Sequence, residues 1–138
     1  MNLTPNAAAA HWSAAYVGLP WRAGAVGPDA FDCWGLVRHV QETHYGRKLG
    51  HLEIASEGNQ WSAVREIVQR SGWARSPEPR EGDVMLMLDA LGCPHVGIAI
   101  LTPRPKLLHS LQGRGVQLHR MDWLGALGLG HLQCWSHA

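Results

Sequence analysis

The sequence lacks the features that mark several large classes of protein. It has no surplus of charge of either sign, with 12 Lys and Arg against 11 Asp and Glu. A near-neutral chain has little attraction for polyanions, so we expect no nucleic-acid partner. No apolar run approaches the roughly 20 residues of a membrane-spanning helix. The N-terminus has no basic segment followed by an apolar one, so we predict no signal peptide, no membrane partner and synthesis in the cytoplasm.

Cysteine is also scarce. The chain has only three, Cys33, Cys93 and Cys134, an odd number that favours reduced thiols over a disulfide framework. No Cys-x-x-Cys occurs and no pair of zinc-ligand motifs is complete, so we predict no metal and no cofactor. The rest of the composition is ordinary. A chain of 138 residues with 46% hydrophobic and 17% charged residues predicts a single globular domain over residues 1–138.

The order of the elements that we predict indicates an α+β domain. An alanine-rich helix is predicted over residues 6–17, a second from its N-cap Asp32 to a stop at Gly46, and a short third over residues 60–71. Strands separated by Gly and Pro follow, at Val84–Leu88, Val96–Leu101, Lys106–Leu111, Val116–Arg120 and Leu132–Trp135. We therefore expect N-terminal helices packed on one face of an antiparallel sheet of about five strands.

Cys33 would be the first residue of the second helix. Unpaired backbone N–H groups and the positive end of the helix dipole favour a thiolate there, so we expect a depressed pKa for Cys33. The alternative is that Cys33 is a buried apolar residue.

A histidine base for this thiol is predicted on the strands. His95, Gly97 and Ala99 share one strand face, and their small neighbours would let a helix approach and bring Cys33 against the imidazole. His109 lies on the next predicted strand. If the two strands pair so that the numbers of opposite residues sum to 206, residue 111 lies opposite His95, and His109 is a diagonal neighbour that can orient the His95 ring. The alternative is that both histidines are structural.

The blocks that carry these residues resemble the NlpC/p60 superfamily of papain-like cysteine peptidases, most of all the compact type of phage tails and prophages. They are the segment from Tyr16 to Arg22, then Phe31-Asp32-Cys33-Trp34-Gly35-Leu36-Val37, Gly82-Asp83-Val84, Pro94-His95-Val96-Gly97-Ile98-Ala99 and Leu108-His109-Ser110. The resemblance covers roughly residues 10–120. It implies a papain-like fold and hydrolysis of peptidoglycan stem peptides, typically at the bond after γ-linked D-Glu.

The resemblance also implies the role of each site residue. Cys33 is the nucleophile, His95 the general base and then acid, and His109 the orienting residue, with no metal. The oxyanion is held by the Cys33 backbone N–H and one further donor.

Three positions depart from the family pattern or carry two interpretations. Where many members have Tyr 12 residues before the Cys, this chain has Trp21, whose indole N–H supports the oxyanion or whose ring packs under the loop. Trp34 replaces a common Ser and either narrows the substrate cleft or fills a core gap. Asp32 either binds a substrate amine or serves only as the helix N-cap.

The resulting prediction is a cysteine endopeptidase of bacterial cell-wall stem peptides, made in the cytoplasm and built into a phage tail, with tail proteins as partners. Its oligomeric state and the bond that it cuts are left open. One alternative is a non-catalytic tail-assembly component that keeps the fold. The other is a papain-like amidase or acyltransferase acting on another substrate.

Overall fold

The computed structural model describes residues 11–51 and 61–137. Two α-helices, α1 (Cys33–Tyr45) and α2 (Trp61–Arg70), precede the sheet, and there are two 3₁₀ helices, at Trp12–Tyr16 and Met121–Leu127. The strands are β1 (Trp73–Ser76), β2 (Val84–Leu88), β3 (Pro94–Ile100), β4 (Lys106–Leu111), β5 (Gly115–Arg120) and β6 (Gly130–His137). None of the helices described is long and apolar enough to cross a membrane.

The six strands form one antiparallel sheet in the order β1-β6-β2-β3-β4-β5. Strands β2 to β5 form a meander, and β6 returns to lie between β1 and β2. The α+β class and the five expected strands are confirmed. The sixth strand, β1, has only four residues and pairs only with β6, so it left no alternating pattern to detect in the sequence.

The limits of α1 follow from its two caps. The Asp32 carboxylate accepts a hydrogen bond from the Gly35 N–H at 2.6 Å, which satisfies one of the donors that a helix N-terminus leaves unpaired. Gly46 ends the helix in a left-handed conformation with φ 64°. The helix therefore begins at Cys33, as the sequence predicted.

The face on which α1 packs differs from our expectation. The buried side chains of α1 form one core cluster with strand residues that do not share the His95 face: Val84, Leu86, Val96, Ile98, Ile100 and Leu108. The large aliphatic face offers far more apolar area to bury than the small-residue face does, so the helix packs there. The opposite face carries a second cluster, Met85, Met87, Ala99, Leu107, Leu124 and Leu129, covered by the second 3₁₀ helix.

The N-terminal part of the chain is less helical than predicted. Residues 6–10 of the alanine-rich stretch lie outside the described residues, and residues 12–16 form a 3₁₀ helix rather than an α-helix. This helix docks on the end of α1, where the Trp12 ring stacks on His44 with centroids 3.8 Å apart. The helix predicted over 60–71 is confirmed as α2, with residue 60 outside the described part.

Candidate active site

A gap between β3 and β4 receives the start of α1. The pairing of these strands ends at Ile98 and Leu108, in the register that sums to 206. The Ala99 N–H and C=O hydrogen-bond to Asp83 and Gly82, which precede β2. Successive residues of an antiparallel strand bond in alternate directions, so the Val96 N–H, three residues away, points toward β4. Val96 and Ser110 would be the next hydrogen-bonded pair of this ladder, and we call the opening between them the β3–β4 notch.

Residues 31–33 occupy the β3–β4 notch. The Ser110 hydroxyl, which is buried, donates to the Phe31 carbonyl at 2.7 Å. The Val96 N–H hydrogen-bonds to the Cys33 sulfur. Cys33 is half-buried and lies against the strand residue next to His95. The helix therefore packs on one face of the sheet, while its first residue reaches the histidine strand through this notch.

The loop before α1 is fixed to the helix N-terminus by backbone contacts. The Asp32 N–H donates to the Ala25 carbonyl at 3.0 Å, and the second Asp32 carboxylate oxygen accepts from the Gly24 N–H at 3.0 Å. A Cβ at Gly35 would overlap the Ala25 carbonyl, so the loop requires glycine there. Both Asp32 oxygens thus hold backbone N–H groups, and the N-cap interpretation accounts for this residue without a substrate amine.

The expectation of a depressed Cys33 pKa is wrong. Burial raises the pKa of the thiol to about 12, and the neighbouring Asp32 carboxylate adds to this rise. Hydrogen bonds from the N–H groups of Val96, Trp34 and Cys33 itself lower the pKa, but by less. Desolvation of the thiolate therefore outweighs the helix N-terminus, and the resting side chain is a neutral thiol.

Three imidazoles form a hydrogen-bonded chain on the face of the sheet opposite α1. Nε2 of His95 lies 2.9 Å from Nδ1 of His109, and Nε2 of His109 lies 2.8 Å from Nδ1 of His119. We expected the first contact from the register, but His119 was not among the residues that the sequence predicted for the site. On the β4–β5 hairpin His119 pairs with Leu107, so a hairpin register from the Gly113-Arg114-Gly115 turn could have found it.

These rings are neutral at neutral pH. Burial lowers the pKa of His95 to about 4, although the Asp89 carboxylate partly opposes the fall. Burial, followed by the charges that His95 and His119 would carry, pushes the pKa of His109 well below its usual range. Burial and the Arg114 guanidinium lower the pKa of His119. Each ring can therefore offer one N–H and one lone pair.

Comparison with known proteins shows the family of this chain. The profile of the NlpC/P60 family matches residues 18–125, a stretch that includes Cys33, His95, His109 and His119. The chain belongs to the NlpC/P60 family. Among solved structures it is similar to the crystal structure of the NlpC/p60 domain of the peptidoglycan hydrolase SagA. The TM-score is 0.57 and the identity 22%, over 88% of this chain and 91% of that one, a likeness of fold. No curated protein matches the chain.

The two tryptophans of this NlpC/P60 domain have different surroundings. Trp34 is 1% exposed, and its indole N–H donates to the Gly50 carbonyl at 3.0 Å. The prediction that Trp34 contacts substrate is therefore wrong, because its ring fills the core beneath the site. Trp21 is half-buried and forms a backbone bridge with Phe31, two residues before Cys33, so it remains a candidate for the oxyanion donor.

A surface cavity lies away from the β3–β4 notch. A cavity of about 310 Å³ is lined by Arg104, Pro105, Arg120, Met121 and Asp122, near the beginning of β4 rather than at the notch. The Arg120 guanidinium there already pairs with the Asp122 carboxylate at 2.6 Å. Within residues 11–51 and 61–137, no group of three or more His, Cys, Asp or Glu is arranged to hold a metal ion.

Proposed function

We propose that this NlpC/P60 domain is a cysteine peptidase that hydrolyses peptide bonds in peptidoglycan stem peptides. Cys33 is the nucleophile, His95 the general base and then acid, and His109 the residue that orients the His95 ring. The observation that carries the proposal is the contact of the Cys33 sulfur with the N–H of Val96, one residue from His95 along β3, with His95 bonded to His109 at 2.9 Å. Such a thiol, base and orienting group are the parts that nucleophilic acyl transfer needs.

The tautomer of His95 decides whether it can act as a base. Its Nε2 is engaged by His109, so Nδ1 is the nitrogen that can take the thiol proton. Nδ1 has a lone pair only if Nε2 carries the hydrogen and donates it to Nδ1 of His109. The orienting role of His109 is thus to accept that bond, which fixes both the tautomer and the plane of the ring.

Acylation begins as the Cys33 proton moves to Nδ1 of His95 and the sulfur attacks the carbonyl carbon. Burial opposes a lone thiolate and a lone imidazolium, but adjacent opposite charges offset part of that penalty. Proton transfer within the pair is therefore favoured over loss of the proton to solvent. The tetrahedral intermediate collapses, the C–N bond breaks, the amine leaves with the His95 proton, and a thioester stays on Cys33.

Deacylation repeats these steps with water. His95 takes a proton from the water as its oxygen attacks the thioester carbon, and collapse expels the Cys33 sulfur, which recovers the proton. In both halves the oxyanion needs fixed donors. We assign the Cys33 backbone N–H at the start of α1 as the first donor. The half-buried Trp21 indole N–H is assigned as the second.

The substrate assignment rests on family membership and on the peptidoglycan hydrolase named among the similar structures. We extend the proposal to a location in a phage tail, which rests on the sequence resemblance to the compact tail-associated type. Mass spectrometry of purified virions, searched for peptides of this chain, tests that location separately from the chemistry.

Digestion of purified peptidoglycan tests the chemistry. Wild-type protein is expected to release fragments with new stem-peptide ends, identified by mass, whereas Cys33→Ala and His95→Gln release none. Cys134→Ser, which changes a half-buried cysteine on β6, is the matched control and should remain active. Absence of new ends with wild type, beside an active hydrolase, would contradict the substrate and favour another amide or a non-catalytic role.

A further inference from the structure

We propose that His119 is a positioning residue that accepts a hydrogen bond from His109 and thereby selects the His95 tautomer with an unprotonated Nδ1. The proposal rests on the cysteine-peptidase function above and adds a fourth side chain to its site. It begins from the two short contacts of the imidazole chain, 2.9 Å between His95 and His109 and 2.8 Å between His109 and His119.

A chain of three neutral imidazoles has two possible hydrogen-bond directions. In the forward direction, Nε2–H of His95 donates to His109, and Nε2–H of His109 donates to Nδ1 of His119. In the reverse direction, Nδ1–H of His119 donates to His109, Nδ1–H of His109 donates to His95, and Nδ1 of His95 carries the hydrogen. Only the forward direction leaves a lone pair on Nδ1 of His95. The two directions are therefore an active and an inactive state of the same structure.

His119, at the end of the imidazole chain, can determine the direction of its hydrogen bonds. His95 is 9% exposed and His109 fully buried, whereas His119 is half-buried on β5 with access to solvent. Its Nδ1 must be unprotonated to accept from His109, and a protonated His119 would donate instead and reverse the chain. The charged neighbours are Arg114 beside His119, Asp89 beside His95 and Asp32 beside Cys33. Arg114 disfavours the imidazolium form of His119, in which both ring nitrogens donate, so the neutral ring can still accept at Nδ1.

Substitutions that differ only in hydrogen-bonding capacity separate this role from simple packing. An Asp carboxylate at position 119 can only accept, so His119→Asp should preserve the forward direction and keep kcat within about threefold of wild type. His119→Leu can neither accept nor donate, so the forward direction would leave the buried Nε2–H of His109 without an acceptor. The reverse direction should then be favoured by about 1.4 kcal/mol, and kcat should fall by about tenfold with little change in KM. His51→Leu, at an exposed imidazole outside the site, is the matched control.

Nitrogen-15 NMR of the histidine side chains reads the tautomers without any substrate. In the unmodified protein we expect Nδ1 of His95 and of His109 to be unprotonated at pH 7. In His119→Leu we expect the His95 tautomer with its hydrogen on Nδ1 to predominate, and in His119→Asp the wild-type pattern. A hydrogen on Nδ1 of His95 in the wild type would overturn the proposal, as would equal loss of kcat in the Asp and Leu variants with unchanged tautomers.

Alkylation of Cys33 by iodoacetamide keeps the two proposals distinguishable. If His95→Gln alkylates as fast as wild type at pH 7, His95 is not the base and the cysteine-peptidase function fails. If His95→Gln is slower but His119→Leu equals wild type, the base is correct and the positioning role of His119 is contradicted. We expect the rate to fall in both variants, and further in His95→Gln.

Discussion

The two faces of strand β3 have different roles. On the face toward α1, Val96, Ile98 and Ile100 are fully buried in an apolar cluster with the helix. On the other face the same strand carries His95, Gly97 and Ala99, and its neighbours there are methionines, Leu107 and a line of imidazoles. One strand of seven residues thus supplies both the core and the proposed base.

The difference shows how stability and chemistry are separated by strand alternation. Burial of aliphatic side chains stabilises the fold at no electrostatic cost. Burial of imidazoles stabilises only their neutral forms, and this is the form that the proposed base needs before reaction. Since the side chains point in opposite directions, residues on one face can be changed without moving those on the other.

The largest expected effect is on the histidine side of this comparison. Cys33→Ala removes the proposed nucleophile and should lower peptidoglycan hydrolysis by at least about 10⁴-fold. The thermal midpoint should shift by only a few degrees, because a half-buried thiol contributes little to the core. Release of stem-peptide fragments at each enzyme concentration measures the loss of hydrolysis, and a melting curve measures the thermal midpoint. Residual activity near wild type would mean that the nucleophile lies elsewhere.

On the β3 face toward α1, a substitution is expected to lower stability and leave activity unchanged. Ile98→Ala leaves a cavity in the cluster beneath α1 and should lower the free energy of unfolding by about 2–5 kcal/mol. Activity per folded molecule should stay close to wild type, since the side chain points away from His95. Urea unfolding measures the change, and a matched loss of activity at full folding would show that the two faces are coupled.

Ser110 joins the two regions at the β3–β4 notch, and its effect should be intermediate. Ser110→Ala leaves the Phe31 carbonyl without its buried donor, which should cost about 1–3 kcal/mol of stability. Because Phe31 lies two residues before Cys33, kcat should fall as well. Urea unfolding and peptidoglycan hydrolysis measured on one preparation check both. Ser76→Ala on β1, whose hydroxyl donates to the exposed Glu78 carbonyl, is the control. A loss of stability with unchanged kcat would contradict the positioning of Cys33 by Ser110.

The most gradual effect is the acid sensitivity of the histidine face. The pKa of folded His95 is about 4 against a usual 6.5, so below pH 6.5 the unfolded chain takes up a proton that the folded chain does not. Stability should therefore fall between pH 6.5 and about 4, by at most about 1.4 kcal/mol per pH unit for this residue. Unfolding free energies of wild type and His95→Gln across this range isolate the effect, and equal slopes would argue against a buried neutral His95.

Local signals explain what could be predicted from the sequence. The limits of α1 follow from Asp32 and Gly46, because helix caps act through hydrogen bonds within a few residues. A shared face for His95 and His109 limited the β3–β4 register to even sums of paired residue numbers, and the structure has one of these, 206. These features depend on short stretches of chain, so one sequence contains enough to predict them.

The features that the sequence did not predict depend on packing between residues far apart in the chain. Strand β1 exists only because β6 pairs with it some 60 residues later in the chain. The face chosen by α1 was predicted from small residues near His95, but the larger apolar area of Val96, Ile98 and Ile100 decided it. The Cys33 pKa depends on how deeply the thiol is desolvated, and a helix position alone does not state that.

Trapping of the acyl-enzyme tests the central claim most directly. A stem peptide is mixed with the protein, the reaction is quenched in acid, and the mass of the intact chain and of its Cys33 peptide is measured. We predict an added mass on Cys33 equal to the acyl part of the substrate, and none on Cys93 or Cys134. A chain that releases product while no thioester ever appears on Cys33, even with a slowly deacylating substrate, would contradict the account.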